Sequence, residues 1–177
     1  MSVMLQPMSN WFWFTENSQL MLSMGSEWQC TTAYGQKHIV DLPSVKKLFS
    51  LRDTESYLSM ANYLQSSGAN LTDAQLTHTL INATAALQFH KPISPKSWFF
   101  DEIDNPGSHH KLARINNIFG SGVVLVLLDE GVLATCMLIS NQIQLNENKQ
   151  LQKFDLVKVA KNRLEPYLAG QCCQLSA

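Results

Sequence analysis

The segment Lys91-Pro92-Ile93-Ser94-Pro95-Lys96-Ser97-Trp98-Phe99 constrains the fold more than any other part of this chain, because a strongly periodic helix has to stop there. Pro92 lacks the N–H that helix continuation needs, and each proline drives its predecessor, Lys91 or Ser94, toward extended backbone. In a polyproline-like rod with three residues per turn, Pro92 and Pro95 fall on one edge, and five steps separate Lys91 from Lys96 by roughly 15 Å. The two lysines therefore address two different acidic groups. The plainest role for such a segment is an interdomain connector kept hydrated by its lysines. A Pro-x-x-Pro ligand for an aromatic-lined module fits less well, since such ligands usually sit in disordered tails and this stretch joins two apolar regions.

On its N-terminal side the connector is preceded by strands and then helices. Trp11-Phe12-Trp13-Phe14, a polar turn at Thr15-Glu16-Asn17-Ser18, and Leu20-Met21-Leu22-Ser23-Met24 read as a hairpin with one very aromatic face, followed by a strand around Glu27 to Thr32. Strand alternation sets Leu20, Leu22 and Met24 on one side, with Met21 and Ser23 on the other. Asp53 or Thr54 is expected to cap a first helix with an apolar stripe of Tyr57, Leu58, Ala61 and Leu64, ending at Gly68. Thr72-x-x-Gln75 makes a capping box for a second, whose Leu76, Leu80, Ala83 and Leu87 recur at helical spacing up to the Pro92 stop.

Beyond the connector the pattern turns to β. Trp98-Phe99-Phe100 reads as a strand, and residues 101–117 as a polar loop containing Asn105-Pro106-Gly107. Val123–Leu128 and Val132–Ile139 form a buried hairpin around Asp129-Glu130-Gly131, and a second hairpin joins Gln142–Leu145 to Leu151. Phe154 to Ala160 fits a strand or a short helix equally. The expected fold is α+β: an N-terminal α/β part over residues 1–92, with a β-hairpin or sheet plus two helices, followed by a β-rich part over 93–168, forming a small barrel or twisted sheet. A flexible tail over 169–177 completes it.

Composition narrows the function classes. At 177 residues with 45% apolar side chains the chain can bury a proper core, and its net charge of -1 supplies no global field toward nucleic acid or anionic lipid. The first fifteen residues hold no Lys or Arg, and the Trp11–Phe14 run is too short for a signal peptide core. Ile118 to Ile139 is long enough to span a bilayer, but Asp129 and Glu130 at its middle favour a β-hairpin. Cys30, Cys136 and the pair Cys172-Cys173 show no Cys-x-x-Cys spacing, which fits a reducing cytoplasm rather than a zinc or disulfide scaffold.

Catalytic constellations are thin. His109-His110 near Asp101, Glu102 and Asp104 lacks the i, i+4 helical spacing that turns two imidazoles toward one metal, so a solvated loop is the better reading. Gly120-Ser121-Gly122 lacks the lysine and helix start of a phosphate loop and reads as a flexible entry to a strand. His38, His78 and His90 are scattered. No cofactor and no catalytic activity are expected.

The order Lys91-Pro92-x-x-Pro95-Lys96-Ser97-Trp98-x-Phe100 directly after an Ala/Leu-rich helix resembles the ZapC family of cell-division proteins. Asn10-Trp11-x-Trp13 before Met21-Leu22, the helix from Leu76 to Leu87, and Asn162-Arg163-Leu164-x-Pro166 are similar in the same order. The resemblance implies a non-enzymatic cytoplasmic adaptor at the mid-cell division ring. Such a protein binds the tubulin-like FtsZ, stabilises its polymers, promotes lateral bundling of protofilaments and lowers FtsZ GTPase activity.

It also implies site residues. Leu22 matches the family's Met-Leu motif associated with FtsZ binding, against an alternative of ordinary core packing; Lys91, Lys96 and Arg163 fall inside the other shared motifs. The run Lys153 to Pro166 carries a local excess of two positive charges, which suits acidic FtsZ. Bundling requires one molecule to touch two filaments, as a weak homodimer or as a monomer with two contact surfaces. No nucleic-acid or membrane partner is expected. Two rivals remain: a small β-barrel nucleic-acid binder, which needs stacking aromatics and a basic groove, and a metal-dependent hydrolase built on the Asp101 to His110 loop.

Overall fold

The computed structural model describes residues 4–104 and 111–168. The expected turn at Asn105-Pro106-Gly107, the His109-His110 pair and the Cys172-Cys173 tail lie outside the described residues. The chain divides into two compact units, one running to Gln65 and including Leu71–Pro92, the other comprising Ser66–Asn70 and what is described from Ile93 onward.

In the first unit, strands β1 (Phe12–Glu16) and β2 (Gln19–Ser23) form the aromatic hairpin. Its turn is shorter than the four polar residues suggested, because Thr15 pairs with Leu20 and Glu16 with Gln19. Only Asn17 (φ 52) and Ser18 (φ 61) turn, with left-handed backbone at both positions as a twist-matched two-residue hairpin needs. β3 (Gln29–Gly35) pairs with β2, and the short β4 (Lys47–Leu48) pairs with β1, giving the antiparallel order β3-β2-β1-β4.

Helix α1 (Leu51–Ser66) begins earlier than expected. Its cap is Ser50, whose Oγ accepts from the Asp53 N–H at 3.0 Å while the Ser50 N–H donates to Asp53 Oδ2 at 2.9 Å. Asp53 thus closes the first turn from inside the helix, and the same carboxylate accepts the Trp13 indole N–H at 3.1 Å. The buried stripe runs through Tyr57, Met60, Ala61 and Leu64; Leu58 sits on the exposed side. Helix α2 (Asp73–Phe89) starts on the Thr72/Gln75 capping box that the spacing predicts and closes at His90, two residues before Pro92. Trp11 and Trp13 pack edge-on or tilted against Phe49, Tyr57 and Phe89 at 5.4 to 5.8 Å between ring centroids. Both faces of β2 are covered, so the alternation of Leu20 and Leu22 with Met21 and Ser23 does not divide core from solvent.

In the second unit the strands are β5 (Leu112–Asn117), β6 (Gly120–Glu130), β7 (Leu133–Leu138), β8 (Ile143–Asn146), β9 (Lys149–Leu151), β10 (Leu156–Ala160) and β11 (Glu165–Pro166). Five of them make an antiparallel sheet in the order β10-β7-β6-β5-β11, and β8 with β9 makes the second expected hairpin. The sheet is open: β10 and β11 are its two edges and do not pair with each other, so the twisted-sheet alternative holds and the small barrel does not. Its core gathers Phe100, Ile115, Val124, Cys136, Leu138 and Val157 among others.

Two expectations for this unit change. Residues 112–117 are strand rather than loop, because pairing with β6 buries Leu112, Ala113 and Ile115 in a stretch whose Ala and Asn residues have weak strand preference on their own. Ser97–Phe99 is a single 3-10 turn rather than a strand, closed by i→i+3 bonds from Phe99 to Lys96 and from Phe100 to Ser97. Only Phe100 of the three aromatics is buried, so no period-two face exists to stabilise a strand there. Gly122 is a structural element of β6 and not a flexible entry: a Cβ there would meet Leu138 Cδ1 at 2.9 Å.

Candidate functional site

An apolar concavity of the first unit lies where β3 meets the start of α2. It encloses ≈ 560 Å³ between Met24, Trp28 and Cys30 on the sheet side and Thr77, His78 and Ile81 on the helix side. Local chemistry builds both walls. The β2–β3 connection closes with the Met24 N–H donating to Trp28 O at 2.8 Å, around Gly25 at φ +110, and this leaves the Trp28 ring 63% exposed at the mouth. β3 is fixed to the helix by Asn82, whose Oδ1 accepts the Ala33 N–H at 2.8 Å while its Nδ2 donates to His78 O at 2.9 Å. A fully buried amide with its groups bonded in this way fixes one register of strand on helix, since slippage would leave the Ala33 N–H unpaired at a cost of about 1–3 kcal/mol.

The cleft is mainly apolar, with Asp73 and His78 among the polar groups on its helix side. Burial pushes the Cys30 thiol up to about 11, so it is neutral at physiological pH and is not a thiolate nucleophile. Outside the cleft, burial raises Cys136 of the second unit to about 12 and, in the first, the Tyr57 hydroxyl, which donates to Leu5 O at 2.8 Å, to about 12. A mainly apolar surface like that of the cleft has the chemistry to hold a bulky apolar side chain, with the exposed Trp28 among its lining.

Leu22 is fully buried and is not part of this wall. In the β2 register it pairs with Trp13 on one side and Cys30 on the other, so it lies one strand inward from the cleft. Lys91 is exposed at the end of the first unit, its N–H donating to His38 O at 2.9 Å. The histidines that look scattered in sequence are in part gathered here: the His38 and His90 rings lie 5.8 Å apart, each edge-on to Tyr34. Among the described residues no group of three or more His, Cys, Asp or Glu side chains converges on a metal position.

Lys96 and Arg163 belong to the second unit and share one support. Pro95 bridges to Lys158, the Lys96 N–H donates to Lys158 O at 2.8 Å, and the Ala160 N–H donates to Ser97 Oγ at 2.7 Å. The far end of the connector is thereby bonded along β10. Arg163 holds the same segment from the other end, donating from Nη1 to Phe100 O at 2.7 Å and from Nη2 to Glu102 Oε1 at 3.0 Å. Lys158 pairs with Glu130 at 3.0 Å and Lys161 with Asp129. Hydrogen bonds from Lys158 and Thr135 hold the Glu130 carboxyl below its usual value. The basic run 153–163 is therefore largely neutralised within the unit. Lys96 itself has no ion-pair partner among the described residues, and beside it Trp98 is exposed.

Sequence reasoning missed Trp28, Ile81 and Asn82. Asn82 carried a readable signal, an amide inside an Ala/Leu-rich helix. Trp28 did not, because an exposed Trp at a strand start looks like any surface aromatic.

Fold and cleft define an α+β protein of two compact units whose first unit carries a mainly apolar cleft. Among the described residues no helix is long and apolar enough to cross a membrane. Residues 4–91 match the N-terminal domain of the cell-division protein ZapC, and residues 92–170 match its C-terminal domain. The chain is 43% identical over 169 residues to a cell division protein ZapC of Pseudoalteromonas atlantica, covering 93% of this chain and 95% of the relative. It is 34% identical to that of Shewanella frigidimarina, covering 93% and 94%. The chain belongs to the ZapC family of cell-division proteins.

Proposed function

We propose that this chain is a non-enzymatic adaptor that binds FtsZ directly, stabilises its polymers, favours lateral bundling of protofilaments and lowers FtsZ GTPase activity at the cytoplasmic division ring. The observation that carries the reading is the match of both halves of the chain to the two ZapC domains, joined to a mainly apolar cleft whose one cysteine, Cys30, is neutral. In this reading the cleft receives an apolar anchor from FtsZ and excludes water around it. Leu22 acts from beneath, fixing the position of Cys30 in the cleft wall. Lys91 and Lys96 supply cationic contacts to an acidic partner, and Arg163 holds the segment that carries Lys96.

One molecule bridges two filaments either through separate contact surfaces on its two units or as a weak homodimer. Bundled filaments exchange subunits slowly, which lowers GTP turnover. Nucleic acid fits the chain less well, because the net charge is -1 and the cations of the 158–163 stretch are ion-paired. Adding the protein to FtsZ with GTP should raise pelleted polymer and light scattering and lower phosphate release, with single-stranded DNA failing to compete. Unchanged scattering and turnover at several-fold molar excess would sink the proposal.

A further inference from the structure

Residues 37–52 hold the densest positive charge of the first unit: Lys37, Lys46, Lys47 and Arg52 against Asp41 alone. Lys46, Lys47 and Arg52 have no carboxylate within ion-pair distance among the described residues. Lys46 and Lys47 lie over aromatic rings instead, Lys46 Nζ 4.5 Å from the Phe12 centroid and Lys47 Nζ 5.1 Å from that of Phe89. Ring faces hold the two ammonium groups in place without neutralising them.

Lys47 sits on β4, the edge strand of the four-stranded sheet, and Lys46 immediately precedes it; the outer side of β4 has no partner strand among the described residues. Lysines on an edge commonly guard against pairing with another chain. Here that guard is contradicted by its neighbours, since Val45, Leu48 and Leu51 are 77%, 68% and 75% exposed along the same stretch. A cleft of ≈ 540 Å³ lies alongside, lined by Val40, Pro43, Val45, Lys46, Lys47 and Phe89 among others, and it shares no residue with the Trp28 cleft.

We propose that the β4 edge is a docking strand for an extended acidic segment of another protein, which adds antiparallel or parallel to Lys47–Leu48 as a fifth strand. The register specifies what that segment carries. Phe12 pairs with Leu48 and Trp13 with Lys47, so Leu48 and Lys46 share the Phe12 face while Lys47 turns to the opposite face beside Phe89. A strand laid against Val45-Lys46-Lys47-Leu48 therefore matches it with two consecutive acidic residues, one on each face, flanked by bulky apolar residues. Main-chain hydrogen bonds supply affinity, and the charge order selects the segment.

The test uses the full chain and a short fluorescein-labelled peptide with valine-glutamate-glutamate-leucine at its centre, beside a control peptide with lysine in place of each glutamate. Fluorescence anisotropy should show saturable binding of the acidic peptide alone, weakening as salt rises. The double variant Lys46→Glu, Lys47→Glu should lose affinity by on the order of ten-fold or more, since like charges would then face each other. Val45→Asp should weaken binding too, and all three positions are exposed, so melting should be unchanged. Amide shifts on peptide addition should centre on Val45–Leu48. Equal affinity of the double variant, or shifts centred on Trp28 and Cys30, would overturn the proposal. So would binding to phosphatidylglycerol vesicles that depends on Lys46 and Lys47 while the peptide fails to bind, which would make the patch a membrane contact.

Discussion

The two units use positive charge in opposite ways. In the second unit Lys158, Lys161 and Arg163 are tied to Glu130, Asp129 and Glu102, and Arg163 also holds a backbone carbonyl. In the first, Lys46, Lys47 and Arg52 lack such partners among the described residues, and the core holds Trp11, Trp13, Leu22 and Tyr57, with the Trp13 indole bonded to a buried Asp53. A basic run in sequence is thus no measure of a basic surface. In the run that looks most cationic, Lys153 to Pro166, three of the four cations are engaged, Lys158 and Lys161 because β10 lies beside β7 and so near the acids at the end of β6. The stretch at 37–52, not singled out by the sequence pattern, leaves Lys46, Lys47 and Arg52 without a carboxylate partner among the described residues.

The contrast breaks first at Leu22. A fully buried leucine between Trp13 and Cys30 should cost about 2–5 kcal/mol when cut to alanine, through lost transfer energy and the cavity left behind. Leu22→Ala should therefore lower the melting temperature more than any charge change discussed here. Because Cys30 lines the cleft, FtsZ binding should weaken as well at temperatures where the variant is still folded. Normal binding by the folded variant, checked by co-sedimentation, would leave Leu22 as core alone.

Arg163 tests the other side of the comparison. Arg163→Ala removes a charge-assisted bond to Phe100 O and the Glu102 pair, an effect of about 1.5–3 kcal/mol for the bond to the buried carbonyl, with little from the exposed carboxylate. Thermal melting should fall accordingly, and Arg163→Lys should recover only part of the loss because one ammonium cannot span both acceptors. A variant that melts like wild type while losing FtsZ binding would make Arg163 a surface contact instead of a tie.

What the sequence disclosed follows the range of the forces involved. The Thr72/Gln75 box, the stop before Pro92 and the β6–β7 hairpin depend on residues within a few positions of one another, and each is visible in the order of side chains, although the hairpin turns at Gly131-Val132, with Asp129 and Glu130 still paired in β6. Strand β5 was not visible, since Ala113, Asn116 and Asn117 become strand only by pairing with β6. The cap at Ser50 was hidden for a related reason: Asp53 looks like a cap until its carboxylate is seen reaching back to Ser50 and across to Trp13. At the candidate site, the lysines of the connector were legible from the Pro spacing, whereas the cleft needed β3, the β2–β3 turn and α2 brought together from three parts of the chain. The neutralisation of residues 158–163 was equally invisible, because its acids lie about thirty to sixty residues away in sequence.

The smallest expected effect on stability is the sharpest test of the connector. Lys96 lies beyond Pro95, with its backbone bonded to Lys158 O and the following Ser97 bonded to Ala160, so the main chain is held whatever charge the side chain carries. With no ion-pair partner among the described residues, Lys96→Glu should change stability by less than about 0.5 kcal/mol, within the usual range for surface substitutions. Its effect should appear in FtsZ binding, as weaker co-sedimentation at low salt that converges on wild type as salt rises, because screening removes attraction and repulsion alike. A Lys96→Glu protein that melts and co-sediments as wild type does at every salt concentration would place Lys96 with the engaged cations of its unit in having no part in recognition. Lys91 and the cations at 37–52 would then be the remaining candidates for an electrostatic contact.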